Sequence, residues 1–182
     1  MSHAILIAGN SSRFLEPIYH FRSYLTKEQL VTPKRIKIFL TAYMAEEIFN
    51  YRLSVAIAAK TNKPLLILFC GHGYDLGWAL DDTRIFSYFQ LSKMLLVGRR
   101  PITILNDCCH AMELSKRLEN QSVSPKRLSL IGAAESGEET PGGLAEIALN
   151  SWKQRRPVRF GPELRWGEKF DHYYYGCINK SQ

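Results

Sequence analysis

The chain has 182 residues, 46% of them hydrophobic and 23% charged, with a formal net charge of +7. That length fits one domain, which at this size buries roughly 70% of the surface its unfolded chain exposes, so a core needs no staples, and the composition excludes the biases of disordered and repeat proteins. No apolar run approaches the ~20 residues that span a bilayer, and Met1 to His3 lead into a first strand rather than a signal peptide. The expectation is a cytoplasmic protein with no membrane partner. Four cysteines, Cys70, Cys108, Cys109 and Cys177, follow no framework spacing and read as reduced thiols. The basic residues are scattered: Lys34, Arg35 and Lys37; Arg99 and Arg100; Lys126 and Arg127; Lys153, Arg155, Arg156 and Arg159. No recognition motif accompanies them, so they read as solvated surface rather than a nucleic-acid face.

Ala4 to Ala8 reads as a buried strand, ended by the turn residues Gly9 to Ser12. Phe14, Ile18, Phe21 and Leu25 recur at helical spacing and predict a helix within 15–31, with Pro17 in its first turn. Thr26 to Gln29 matches a capping box, so two helical pieces are an alternative, and Pro33 ends the segment either way. Ile36 to Leu40 is a second strand; Thr41 is expected to cap an amphipathic helix with Ile48, Tyr51, Val55 and Ala58 or Ala59 on one apolar side, closing near Asn62. The third strand, Leu65 to Phe69, delivers Gly71-His72-Gly73, and a loop from Tyr74 to Asp82 follows around Trp78. A helix is expected from Asp82 or Thr83 through Val97, with Ile85, Phe89, Leu91 or Met94, and Leu95 apolar.

Ile102 to Leu105 is a fourth strand, bounded by Pro101 and covered on both faces. Ala111 to Leu118 reads as helix, Leu128 to Ile131 as a fifth strand, Gly132 to Gly143 as loop and Leu144 to Trp152 as a last helix. Pro157 to Phe160 reads as a short edge strand. Strands alternating with helices make a three-layer α/β sandwich with a mostly parallel central sheet over residues 1–160, followed by a tail, 161–182, with no assigned structure. In such sheets function collects at the carboxyl ends of the strands, where His72, Asp107 and Cys109 fall.

Side chains alternate along an extended chain, so Asp107 and Cys109 share one face while Asn106 and Cys108 point to the other. A thiol and an imidazole at neighbouring strand ends form a nucleophile and base pair. His72 and Cys109 are 37 residues apart, room for a single helical crossover. Glycines on both sides of His72 permit close backbone approach, and the amides of Gly73 and Cys109 are candidates for binding a developing oxyanion. Cys70, Cys108 and Cys177 read as small core residues, His110 as a helix-start residue directed away from Cys109, and Trp78 and Tyr173 to Tyr175 as packing residues. A zinc site is read against, because neighbouring thiols on a strand face opposite sides and no two-residue-spaced pair exists.

These motifs resemble the caspase-like cysteine peptidases, metacaspases more than animal caspases. Gly71-His72-Gly73 after Leu66 to Phe69 resembles the family's histidine motif, and Asp107-Cys108-Cys109-His110-Ala111 resembles its Asp-x-Cys-His-Ser nucleophile motif. Leu130 to Ala134, the acidic stretch Glu135 to Thr140 and the helix from Leu144 resemble the segment after the family's fifth strand. The resemblance covers roughly residues 4–152 in element order, with sharp motifs at about ten positions. It implies a caspase-like fold, with Cys109 as nucleophile and His72 as general base and acid. Asp107 matches the acid that lines the primary specificity pocket of metacaspases, which cleave after Arg or Lys; the pleat independently sets that carboxylate beside the thiol. Arg13, just after the first strand, is a competing ligand for an acidic side chain.

Two departures stand out. Ala111-Met112 replaces the Ser-Gly that usually follows the Cys-His pair, and only a short helix and Gln121 to Pro125 separate Cys109 from the fifth strand, leaving no long linker to be cut in maturation. No cofactor or metal is called for by the motifs; the acidic residues that make some metacaspases calcium-dependent are not found, and calcium stays open. The implied partner is a protein or peptide substrate, with the chain a monomer or a homodimer paired through an edge at Val158 to Phe160. Two classes follow: a cysteine endopeptidase acting through a thioester acyl-enzyme with a basic residue before the cut bond, or a scaffold that keeps the fold without turnover.

Overall fold

The computed structural model describes residues 3–119, 128–134 and 142–154. In chain order the elements are β1 (His3–Ala8), α1 (Leu15–Lys27), β2 (Ile36–Leu40), α2 (Glu46–Ala58), β3 (Leu65–Cys70), the short strands β4 (Gly73–Tyr74), β5 (Gly77–Ala79) and β6 (Ile85–Ser87), α3 (Tyr88–Val97), β7 (Ile102–Asp107), α4 (Glu113–Glu119), β8 (Leu128–Gly132) and α5 (Leu144–Lys153). Five strands lie side by side in the order β2-β1-β3-β7-β8, parallel throughout, and β4, β5 and β6 form a separate antiparallel sheet. The expected edge strand at Pro157 to Phe160 and the tail lie outside the described residues.

Strand periodicity sorts the core into two. Ile5, Ile7, Leu65, Ile67, Phe69, Ile102 and Ile104 pack with Phe49, Leu53 and Ile57 of α2, Leu91 and Leu95 of α3 and Leu114 and Leu118 of α4. Ala4, Leu6, Ala8, Leu66, Leu68, Cys70 and Leu105 turn the other way, onto Ile18, Phe21 and Leu25 of α1 and Leu144, Ala148 and Leu149 of α5. Helices therefore cover both faces, the arrangement that lets a parallel sheet carry continuous apolar strands. Each fully buried large apolar side chain contributes about 1.5–3 kcal/mol relative to exposure. Among the described residues, no helix is long and apolar enough to cross a membrane.

Three sequence-derived elements are corrected. First, α1 stops at Lys27: Gln29 takes a left-handed φ of 53° and the amides of Leu30 and Val31 both donate to the Leu25 carbonyl, so the capping-box pattern starts no second helix. Second, α2 begins at Glu46, because Thr41 sits in a 3-10 turn and its hydroxyl donates to the Leu80 carbonyl. The helix buries Phe49, Leu53 and Ile57, whereas Ile48, Tyr51 and Val55 are 48%, 69% and 52% exposed. Third, the expected loop and helix start at 74–87 fold as β4, β5 and β6; α3 begins only at Tyr88, capped by Ser87 in a reciprocal pairing with Gln90. Ile85 and Phe89 are exposed, and only Leu91 and Leu95 of that set are buried.

Candidate functional site

β3 and β7 are hydrogen-bonded neighbours whose register ends on Cys70 opposite Asp107. Both residues turn to the α1 and α5 side, with Cys70 Sγ 3.9 Å from Asp107 Oδ2. Past these ends the chains break into Gly71-His72 and Cys108-Cys109. The end of β1 is drawn in as well: the Gly9 amide donates to the Cys70 carbonyl at 2.8 Å, and a Cβ at Gly9 would stand 3.1 Å from the Gly71 Cα. Only glycine allows that approach without displacing backbone. It carries the turn after β1 over His72, where Arg13 Nη2 lies 3.1 Å from Nε2 and the Phe14 ring meets the imidazole edge-on at 5.2 Å. The Arg13 guanidinium also lies 4.7 Å from the Phe14 ring centre.

A cavity of about 160 Å³ opens between these elements, lined by His72, Cys109, Asp107, Cys70, Cys108, Arg13 and Phe14, with Gly142 and Gly143 on the far wall. His72 is exposed at its mouth and Cys109 half-buried. Four of the five residues expected to form the site thus share one cavity. The fifth, Gly73, is not among its lining: it pairs with Trp78 across β4 and β5 and packs on the turn at Cys108 and Cys109. Among the described residues no group of three or more His, Cys, Asp or Glu is placed to hold a metal ion.

Asp107 is only 6% exposed. Its Oδ2 accepts from the Ala145 amide at 3.0 Å, in the first turn of α5, while Oδ1 is buried and has no hydrogen-bond partner among the described residues. Burial raises its pKa from the ordinary carboxylate value; the Ala145, Leu144 and Gly143 amides pull the other way and do not prevail. Burial also pushes the Cys70 and Cys108 thiols up, which keeps both protonated and unreactive at neutral pH, in line with their reading as core residues.

His72 is held by a donor. A guanidinium can only donate hydrogen bonds, so a hydrogen bond in this contact has Nε2 accepting from Arg13, which assigns the ring proton of the neutral imidazole to Nδ1. In that tautomer the Nε2 lone pair is engaged by Arg13 and Nδ1 carries the proton.

The opposite side of β7 carries a network that sequence reasoning left unassigned. Asn106 is fully buried; its Oδ1 accepts from Trp78 Nε1 at 2.6 Å and from Cys108 Sγ at 3.3 Å, and its Nδ2 donates to the Ala111 carbonyl at 2.8 Å and to Tyr88 Oη at 3.2 Å. Tyr88 Oη and Cys108 Sγ stand 3.5 Å apart. The amide therefore ties both ends of the turn that holds Cys109. His110, the next residue, has a left-handed φ of 52°, a conformation that a non-glycine residue keeps only when its surroundings fix it. It occupies a turn ahead of α4 rather than the helix start expected for it. The Met112 amide, donating to the Ala134 carbonyl at 3.1 Å, closes the turn against the end of β8. The alternation of strand side chains had placed Asn106 opposite Asp107; what it lacked was Trp78 and Tyr88, which arrive from other elements.

No protein-family model matches the sequence, and no curated protein matches it. Among solved structures, the crystal structure of Chaetomium thermophilum Raptor is similar, with a TM-score of 0.56 and 17% identity over 89% of this chain and 19% of that one. This chain thus spans about a fifth of Raptor's length. The likeness shows a caspase-like α/β fold with a five-stranded parallel sheet flanked by helices.

Proposed function

We propose that the chain is a cysteine endopeptidase of the caspase-like fold, with Cys109 as nucleophile and a basic residue preferred before the cut bond. The observation that carries this reading is the meeting of Cys109, His72 and Asp107 on one cavity, with a buried carboxylate oxygen that has no hydrogen-bond partner among the described residues. In the proposed step His72 takes the thiol proton and Cys109 Sγ bonds to the peptide carbonyl carbon, moving its π electrons onto oxygen. The Cys109 amide, and less directly Gly73, would stabilise that oxygen. Collapse expels the amine, protonated by His72, and leaves a thioester that water hydrolyses. Asp107 Oδ1 would receive the substrate's basic side chain, a charge-assisted bond that an acidic side chain is denied.

The likeness to Raptor favours a second reading, a caspase-fold scaffold or interaction protein without turnover. A shared fold satisfies that likeness completely, whereas peptidase activity also needs a reactive Cys109 and a base released from Arg13. Fluorogenic peptides with Arg, Lys or Asp before the reporter, tested on wild type and Cys109→Ala, separate the readings. Arg or Lys cleavage lost in the variant supports the peptidase. Silence toward every peptide supports the scaffold, and a preference for Asp would transfer the specificity role from Asp107 to Arg13.

A further inference from the structure

Two opposite charges line the cavity and do not meet. Asp107 lines it with a buried carboxyl, held by the amides at the start of α5, whose Oδ1 has no hydrogen-bond partner among the described residues, and Arg13 lines the same space from the turn after β1; among the described residues no ion pair joins them. His72 engages Nη2 of Arg13, one position on a fork of five N–H donors, and Arg13 is otherwise exposed. A cleft with a carboxylate at depth and a guanidinium at the rim complements a ligand that carries a cation on a flexible stem and an anion at its base. At about 160 Å³ the space is below the usual range for drug-sized ligands and fits one side chain.

We propose that this cavity is a receptor for a free peptide C-terminus whose last residue is basic: the side-chain cation on Asp107, the α-carboxylate on Arg13. The proposal rests on assigning Asp107 to a basic side chain, and it holds whether or not Cys109 turns substrate over. In a peptidase it makes the newly cut acyl-side product a retained ligand; in a scaffold it is the recognition function itself. A guanidinium suits the task because its planar fork matches carboxylate geometry.

The test uses the full chain carrying Cys109→Ala, which separates binding from cleavage, and four tripeptides labelled with fluorescein on the N-terminal amine and read by anisotropy: alanyl-alanyl-lysine and its norleucine counterpart, each as free acid and as C-terminal amide. The lysine acid should bind tightest, with about a tenfold loss, ~1.4 kcal/mol, on amidation and a similar loss on replacing lysine. Adding Arg13→Ala should abolish the acid-over-amide preference and keep the lysine-over-norleucine preference; Asp107→Asn should do the reverse. Because each variant retains one preference, a misfolded protein is recognised at once. Equal binding of acid and amide, an acid preference that survives Arg13→Ala, or no lysine-acid binding at about 1 mM overturns the proposal. Wild-type cleavage after lysine without acid preference would sink this inference and spare the peptidase reading; acid preference without cleavage would do the opposite.

Discussion

Replacing Asn106 by Ala removes four hydrogen bonds at once, and the fully buried site gives water no easy route to replace them. Tyr88 Oη keeps its contact with Cys108 Sγ, so the groups left short are the Trp78 indole N–H, the Ala111 carbonyl and, more weakly, the Cys108 thiol. A buried group stranded in this way costs about 1–3 kcal/mol. Two strong groups and one weak one, with partial relaxation, give a loss of about 3–5 kcal/mol, a large share of the ~5–15 kcal/mol that holds a domain together. Tyr88→Phe, which removes one hydroxyl from the same network, should cost only about 1 kcal/mol. Urea denaturation followed by tryptophan fluorescence is suited to both, because Trp78 is stacked on Phe69 with ring centres 4.6 Å apart and reports on this region. A loss below ~1 kcal/mol for Asn106→Ala would show that the turn around Cys109 is held by something else.

Three other outcomes follow from the same geometry. Gly73→Ala would drive a Cβ into the Cys109 carbonyl oxygen and to 2.7 Å from Cys108 Sγ, so the turn holding Cys109 must shift; iodoacetamide labelling of Cys109, read by peptide mass mapping, should change rate several-fold, and an unchanged rate would refute the close packing. Burial raises the Asp107 pKa, so the folded state holds its proton more tightly than the unfolded chain does, and this group's contribution to stability falls as pH rises from the ordinary carboxylate value through the folded value. Asp107→Asn should flatten that fall, leaving the variant at least as stable as wild type at pH 7 by thermal melting; parallel wild-type and variant curves from pH 4 to 7 would contradict it. On α2, Leu53→Ala should cost about 2–5 kcal/mol, while Tyr51→Ala should stay within about 0.5 kcal/mol by the same urea titration; the reverse ranking would mean that the other face of the helix is buried.

The sheet was legible because five apolar runs, each closed by turn residues, leave little freedom once the crossovers between them are helical. α2 was misread for a physical reason. Both of its sides carry apolar residues, Ile48, Tyr51 and Val55 on one and Phe49, Leu53 and Ile57 on the other, so spacing alone does not say which side meets the sheet. Phe49 decides it by packing edge-on against Phe39 of β2 and Phe86 of β6, contacts between segments far apart in sequence. The stretch 85–87 failed differently: Ser87 and Gln90 form a capping box that the sequence displays, but the apolar Ile85 extended the apparent helix across it.

At the site, placement was legible and control was not. A buried run ending in Asp-Cys-Cys-His and another ending in Gly-His-Gly set His72, Asp107 and Cys109 at adjacent strand ends, and the register of Cys70 opposite Asp107 realises this. Nothing local predicted that Arg13 would donate to the imidazole, since the contact depends on how closely Gly9 lets β1 approach Gly71. That contact is where the two proposed readings of function differ physically. With Arg13 on Nε2 the imidazole has no lone pair to offer a thiol, the arrangement expected under the scaffold reading and not under the peptidase reading. Nitrogen-15 NMR of His72 should therefore move from the Nδ1-protonated pattern on Arg13→Ala; an unchanged pattern would mean that the tautomer is set elsewhere.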